Sequence, residues 1–310
     1  MESNIPIVAT FASYLRHELN RSPHTIDAYV RDIRNFASWI SGSPQGYGFD
    51  PATVTVSDIR AWLGHLAKKE SPLTLRRKAQ SLRALFHWML KTGKIENNPA
   101  SDIILAKAPK KLPQFLKEEE IEKVISENLI PDSDNEYSKA RAHIVLLILY
   151  STGLRQEELR MLSDSDINFS LREVKVTGKR SKQRVVPLPA ELLEEIRTWQ
   201  GIRNAHFSNL SSLDKDIPLI TGRNGRISKS ALYNIVHNAL SETTPEKKSP
   251  HLLRHTFATT MLNNGASLDS VKEFLGHASL STTQIYTHLS FSELRESYSK
   301  AHPRSKKKSE

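Results

Sequence analysis

Between Pro23 and Ile40 the apolar positions return every three to four residues: Ile26, Tyr29, Val30, Ile33, Phe36 and Ala37. That spacing is one stripe of an α-helix, with polar residues between the stripes. Ser22 stands where a cap belongs and Pro23 occupies the first helical position, where a missing N–H costs nothing. The same punctuation returns at Ser71 and Pro72, followed by Leu75, Leu82, Leu85, Phe86 and Met89, with Gly93 as the stop. The stretch SDIRAWLGHLAKK predicts a helix between these two, and IVATFASYLRHEL one before them. The first hundred residues thus read as four helices, with a Gly/Pro-rich loop at residues 41–51 (SGSPQGYGFDP).

The pattern then breaks. From Asn97 to Pro113 three prolines and a cluster of lysines interrupt any periodicity, which marks a linker. Beyond it the signals are mixed. KEEEIEKVIS and SKARAHIVLLILYSTG predict helices. LREVKVTG and QRVVPLP alternate and carry β-branched residues, so they predict a β-hairpin with GKRSK as its basic tip. ELLEEIRTWQ, SKSALYNIVHNAL, HLLRHTFATTMLNNG, SLDSVKEFLG and FSELRESYSK predict further helices. The fold class expected is mainly α with a small β-sheet: a helical N-terminal domain over 1–107, a linker at 108–113, an α+β domain over 114–300, and a basic tail without structure at 301–310.

Composition narrows the function. The chain has 310 residues and a formal charge of +10, with a pI near 9.6, and such a surplus attracts polyanions, nucleic acid above all. The absence of cysteine excludes disulfides, thiolate catalysis and cysteine zinc sites. MESNIPIVATF has no basic start followed by a long apolar run, and the longest apolar stretch, Ile144 to Leu149, is too short to cross a bilayer. A cytoplasmic protein without a membrane partner is expected. Residues 1–110 carry 15 Lys/Arg against 9 Asp/Glu. Arg76, Arg77 and Lys78 sit together in the first turns of the fourth helix, either as a solvated face or as phosphate contacts without sequence information. Lys182 and Arg184, beside the hairpin tip, are read as DNA contacts too.

Four clusters could carry chemistry. STGLRQEELRML puts Arg155 after a Thr-Gly break at the start of a helix, and VTGKRSKQR puts Lys179 at the hairpin turn. HLLRH puts His251 and Arg254 three apart on one helix face, with His255 on the same side. LGHASLSTTQIYTH supplies His277 and Tyr286. Singly, each has an ordinary reading: a capping arginine, a solvated lysine, a packing tyrosine. The histidines four apart resemble a metal pair, but no glutamate lies between them and the intervening cation opposes binding, so no metal or other cofactor is expected. Together the clusters offer cationic and imidazole donors and one phenol nucleophile, a set suited to a phosphodiester. Arginine forks match two nonbridging oxygens and stay charged. Nearby cations help a phenol ionise from its usual pKa near 10, and a lysine can protonate the leaving oxygen.

The ordered set "TGLR..EL", "TGK...K.R.VPL", "HLLRHTFAT" and "LGH.SLSTTQIYTH" resembles the tyrosine recombinase (phage-integrase) family, and within it the Xer recombinases. The N-terminal pattern "S..TI.AY.RDIRNF..W" resembles that family's SAM-like core-binding domain, so the resemblance spans nearly the whole chain. It implies a helical core-binding domain followed by a catalytic domain. It implies that Arg155 and Arg254 bind the scissile phosphate and that Lys179 is the general acid for the departing 5′ oxygen. His251 would assist proton transfer, His277 would hydrogen-bond the phosphate, and Tyr286 would form a 3′-phosphotyrosyl intermediate. Glu158 would orient the group in a supporting role. The loop at 41–51 is longer than in short Xer proteins, which leaves its DNA contacts open.

The resemblance further implies a double-stranded DNA target and a homo- or hetero-tetramer on two sites that exchanges strands through a Holliday junction. A paralogous recombinase and an accessory activator are its implied partners, and the helix at Phe291 to Lys300 would dock on a neighbouring protomer. Three readings compete. The first is an Xer-like recombinase serving chromosome dimer resolution, and with it chromosome partition and cell division. The second is an integrase or invertase of a mobile element or invertible promoter. The third is a catalytically inactive DNA-binding accessory protein, whose signature would be erosion at Tyr286, Arg155 or Arg254; none is eroded. A topoisomerase would share the chemistry but relax supercoils without a partner site.

Overall fold

The computed structural model describes residues 5–105, 114–127, 136–178, 182–207, 217–223, 225–276 and 291–305. The chain divides into two compact units, Met1–Lys111 and Leu112–Glu310, each with its own apolar core.

The first unit holds α1 (Pro6–His17), α2 (Pro23–Ser41), α3 (Val56–Ala67) and α4 (Pro72–Lys91). The caps do what the sequence implies. The Ser22 and Ser71 hydroxyls accept from the backbone N–H of Thr25 and Thr74, each at 3.3 Å. Thr55 and Asp58 form a reciprocal capping box at the start of α3. Gly42, with φ +66°, closes α2, and Gly93, with φ +67°, follows the end of α4. The stripes meet around Phe36, which lies edge-on to Trp62 with ring centroids 5.1 Å apart. Part of the predicted linker belongs to this core: Ala100 and Ile103 are buried, and Arg83 reaches across to the Ala100 carbonyl at 3.2 Å.

The second unit is built on α6 (Glu136–Thr152). Every residue from His143 to Thr152 is buried, because the continuous apolar run leaves no polar face and must be covered all round. Covering it are α8 (Ala190–His206), α9 (Lys229–Ala239) and α10 (Pro250–Asn263), with α5 (Glu118–Glu127) alongside. Next to this core lies an antiparallel sheet of β1 (Ile167–Asn168), β2 (Glu173–Thr177) and β3 (Gln183–Pro187). Its register pairs Val174 with Val186 and Val176 with Arg184. A second pair, β4 (Thr221–Gly222) with β5 (Gly225–Arg226), escaped sequence reading, as did β1. Two-residue strands carry no alternation to detect. α7 (Gln156–Met161), α11 (Leu268–Leu275) and α12 (Phe291–Ala301) complete the unit.

Residues 301–305, expected to lie in an unstructured tail, pack on the second unit. Ala301 and His302 are buried, the His302 ring stacks on Tyr298 with centroids 5.0 Å apart, and Arg304 pairs with Glu122. Tyr298 donates to the Ser151 carbonyl at 2.8 Å, which seats α12 on the unit of its own chain. No helix among the described residues is long and apolar enough to cross a membrane.

Candidate active site

Gly153 starts the construction. It ends α6 with φ +62°, and a Cβ there would lie 2.5 Å from the Phe257 ring. Only glycine fits that backbone and that space. The turn sends the chain into α7, with Arg155 at its N-cap and Glu158 one turn on. The Glu158 carboxylate bends back to accept from the Arg155 backbone N–H at 2.9 Å and from Arg155 Nη1 at 2.7 Å. Its side chain is only 4% exposed, and Arg184 from β3 closes on it with both fork nitrogens at 2.9 Å. Burial by itself would raise the Glu158 carboxyl. The bonds and charge of Arg184, with those of Arg155, overcome this and hold it down at about 2.

The second arginine arrives from α10. Arg254 is buried and donates Nη1 to the Gly153 carbonyl at 2.7 Å and Nη2 to the Leu275 carbonyl at 2.6 Å. Burial first, and then the charge of Arg155, lower its pKa to about 10, so it stays cationic at neutral pH. One turn earlier on the same helix, His251 is exposed and lies edge-on to His255 with centroids 4.5 Å apart. Partial burial lowers its pKa, and the neighbouring charges of His255, Arg254, Lys247 and Arg155 lower it further. The neutral imidazole, able to take a proton, is thereby favoured.

One helix end gathers the arginines. Gly276 caps α11 with φ +59°, leaving the last carbonyls of the helix without intrahelical donors. Phe274 O accepts from Arg184 Nε at 3.0 Å, Leu275 O from Arg254 and Gly276 O from Arg155 Nη2 at 3.2 Å. The negative end of the helix dipole favours cations there. Three guanidiniums and one carboxylate leave a net positive pocket. The bonds above use two of the five N–H groups on each of Arg155 and Arg254, so both keep donors for an anion.

Of the expected site residues, the structure therefore brings together Arg155, Glu158, His251 and Arg254. Lys179, His277 and Tyr286 lie outside the described residues. The basic residues read as DNA contacts are sorted differently. Arg76 is exposed, as is Lys182. Arg77 pairs with buried Asp32. Lys78, read as a DNA contact or part of a solvated face, is buried, 3.1 Å from Glu70 and over the Trp62 ring, with its ammonium held inside the unit. Arg184, read as a DNA contact, bonds within the protein through all three of its guanidinium nitrogens. Sequence reading missed Gly153 and the α11 carbonyls, although the Thr-Gly break and the Leu-Gly stop were visible. Among the described residues, no group of three or more His, Asp or Glu stands together as a metal site would require.

Comparison with known proteins gives the family. Residues 114–293 match the phage integrase family and residues 8–93 match the phage integrase N-terminal SAM-like domain. The tyrosine recombinase XerC of Chlorobaculum tepidum is 34% identical over 97% of this chain and 96% of its own length. XerC of Chlorobaculum parvum is 36% identical over 94% and 93%. Among solved structures, the XerH site-specific recombinase bound to its difH substrate superposes with a TM-score of 0.66 at 25% identity, covering 94% of this chain and 83% of that one. A transposon integrase in complex with transposon right-end DNA shares the fold, with a TM-score of 0.67 at 21% identity over 94% and 97%.

Proposed function

The chain belongs to the phage integrase family and is a site-specific DNA recombinase of the tyrosine class; from that premise we propose how its own residues cut and rejoin DNA. Arg155 and Arg254 grip the nonbridging oxygens of the scissile phosphate. The Tyr286 phenol attacks phosphorus, its proton passing towards His251. The bond from Tyr286 Oη to phosphorus forms, the bond to the 5′ oxygen breaks, and Lys179 gives that oxygen its proton. His277 adds a hydrogen bond to the phosphate. The phosphotyrosine conserves the energy of the broken bond, so a 5′ hydroxyl from another duplex reverses the step without ATP. Donors fixed towards developing charge are each worth roughly 3–4 kcal/mol of barrier.

The observation that carries this reading is the meeting of Arg155 and Arg254 on adjacent carbonyls of one helix end, although 99 residues separate them in sequence. On DNA, four protomers act on two sites through a Holliday junction, either alone or with a paralogous recombinase and an activator. The reading is Xer-like, in the service of chromosome dimer resolution, because XerC proteins match this chain over 96% and 93% of their own length.

Two experiments test this. Mapping the DNA bound in cells should find one site near the replication terminus; sites flanking a mobile or invertible element would replace the Xer role with that of an integrase or invertase. A nicked duplex carrying the mapped site should then become covalently attached to the wild-type protein and not to Tyr286→Phe. Attachment by Tyr286→Phe, or none by wild type, would overturn the chemistry.

A further inference from the structure

Arg184 looks at first like one more cation for the DNA backbone, since it sits on a basic hairpin. The sheet register says otherwise. Arg184 lies directly opposite Val176, and directly opposed residues of an antiparallel pair share a face. Val174, Val176 and Val186 on that face are buried in the core. Alternation along β3 therefore turns Arg184 inward, and its side chain is only 13% exposed.

There it makes three bonds at once. Nη1 and Nη2 take the two oxygens of Glu158 in a parallel fork, each at 2.9 Å, while Nε donates to the Phe274 carbonyl at 3.0 Å. Packing fixes the stem as well. A Cβ on Gly276 would stand 3.2 to 3.3 Å from the Arg184 Cδ, Nε and Nη1 atoms, so any side chain there would press on the guanidinium. The mouth of the hairpin closes beside the same carboxylate: the Gly178 N–H donates to the Lys182 carbonyl at 2.8 Å, and a Cβ on Gly178 would lie 3.5 Å from Glu158 Oε1. The bonds of Arg184 to Glu158 and Phe274 use three of its five N–H groups and the whole edge that faces the carboxylate.

Resting on the active-site reading above, we propose that Arg184 is a positioning residue for DNA cleavage and not a DNA ligand. It locks Glu158 against the end of α11. Arg155 bonds the same carboxylate, and Arg155 and Arg254 bond the neighbouring carbonyls, so this lock sets where both of their remaining donors aim. Lysine cannot replace it, because an ammonium offers no planar fork to span two oxygens and a carbonyl together.

The test compares wild type, Arg184→Lys, Arg184→Gln, Glu158→Gln and the double variant Arg184→Gln/Glu158→Gln, on an intact duplex for binding and a nicked duplex for single-turnover cleavage, both carrying the mapped site. Thermal melting shows which variants are folded; Arg184→Lys and the double variant, which removes both members of the Arg184–Glu158 pair, keep the test open should Arg184→Gln unfold. A misaimed cradle should slow cleavage by about 10- to 100-fold. Arg184→Lys should be slowed to that extent, with affinity within about twofold of wild type and an unchanged salt slope. The double variant should be no slower than its slower single parent. Wild-type cleavage by Arg184→Lys, a salt slope reduced by about one, or additive losses would overturn the proposal while wild-type cleavage keeps the active-site reading standing. Wild type that never attaches to DNA would remove both.

Discussion

At the scale of single residues, Gly153 does two things that one atom would undo. Its positive φ lets α6 stop and α7 begin, and its carbonyl is one of the two that hold Arg254. In Gly153→Ala the new methyl would sit 2.5 Å from Phe257 Cδ1, in a backbone region that costs side chains about 1–2 kcal/mol before any clash. The expected loss is about 2–4 kcal/mol of stability, read from denaturant unfolding. Arg254 should lose its aim as well, so cleavage should fall more than unfolding explains. Glu158 gives the site an acid limit. Its folded carboxyl is held near 2 against an ordinary 4.5, so its contribution is complete above pH 4.5 and is lost as the pH falls towards 2.

At the scale of elements, α4 shows how far its sequence could be read. The cap, the proline, the stripe and the glycine stop were all legible, because each acts within one or two turns. What three adjacent cations do was not. Arg76, Arg77 and Lys78 are indistinguishable in a list of charges, yet successive helical positions differ by about 100°. One turns out, one meets Asp32 from α2 and one lies over Trp62 from α3. Arg77→Ala should destabilise the first unit by about 2–3 kcal/mol, by stranding the buried Asp32 carboxylate. Arg76→Ala should leave the melting temperature alone; if that side chain meets a phosphate, the slope of log affinity against log salt falls by about one. The hairpin follows the same rule. Alternation made its strands legible, while the inward turn of Arg184 needed the register with β2. Arg155, His251 and Arg254 were legible as parts of motifs, but the contacts that aim the arginines run through backbone carbonyls, which have no sequence letter.

At the scale of the molecule, each unit has its own core, and the second extends past the last helix. His302 is buried among Tyr298, Phe257 and Tyr150. Burial lowers its pKa to about 4, with the positive Arg304 adding to the effect. A histidine depressed in the folded state leaves stability whole above its unfolded value of 6.5 and erodes it as the pH falls towards 4, by on the order of 3 kcal/mol. Melting of the wild type should therefore drop across that window, and His302→Phe should flatten the drop; an identical acid profile in the two proteins would refute this. The end of α11 carries a different lesson. The oxygens that receive Arg155, Arg184 and Arg254 belong to the main chain, and no point substitution can delete them. Side chains at Phe274 and Leu275 are free to drift within the limits of packing while the acceptors stay put. The vulnerable property is the place where the helix stops, so a change to the punctuation mark, Gly276, threatens the site more than a change to the letters before it.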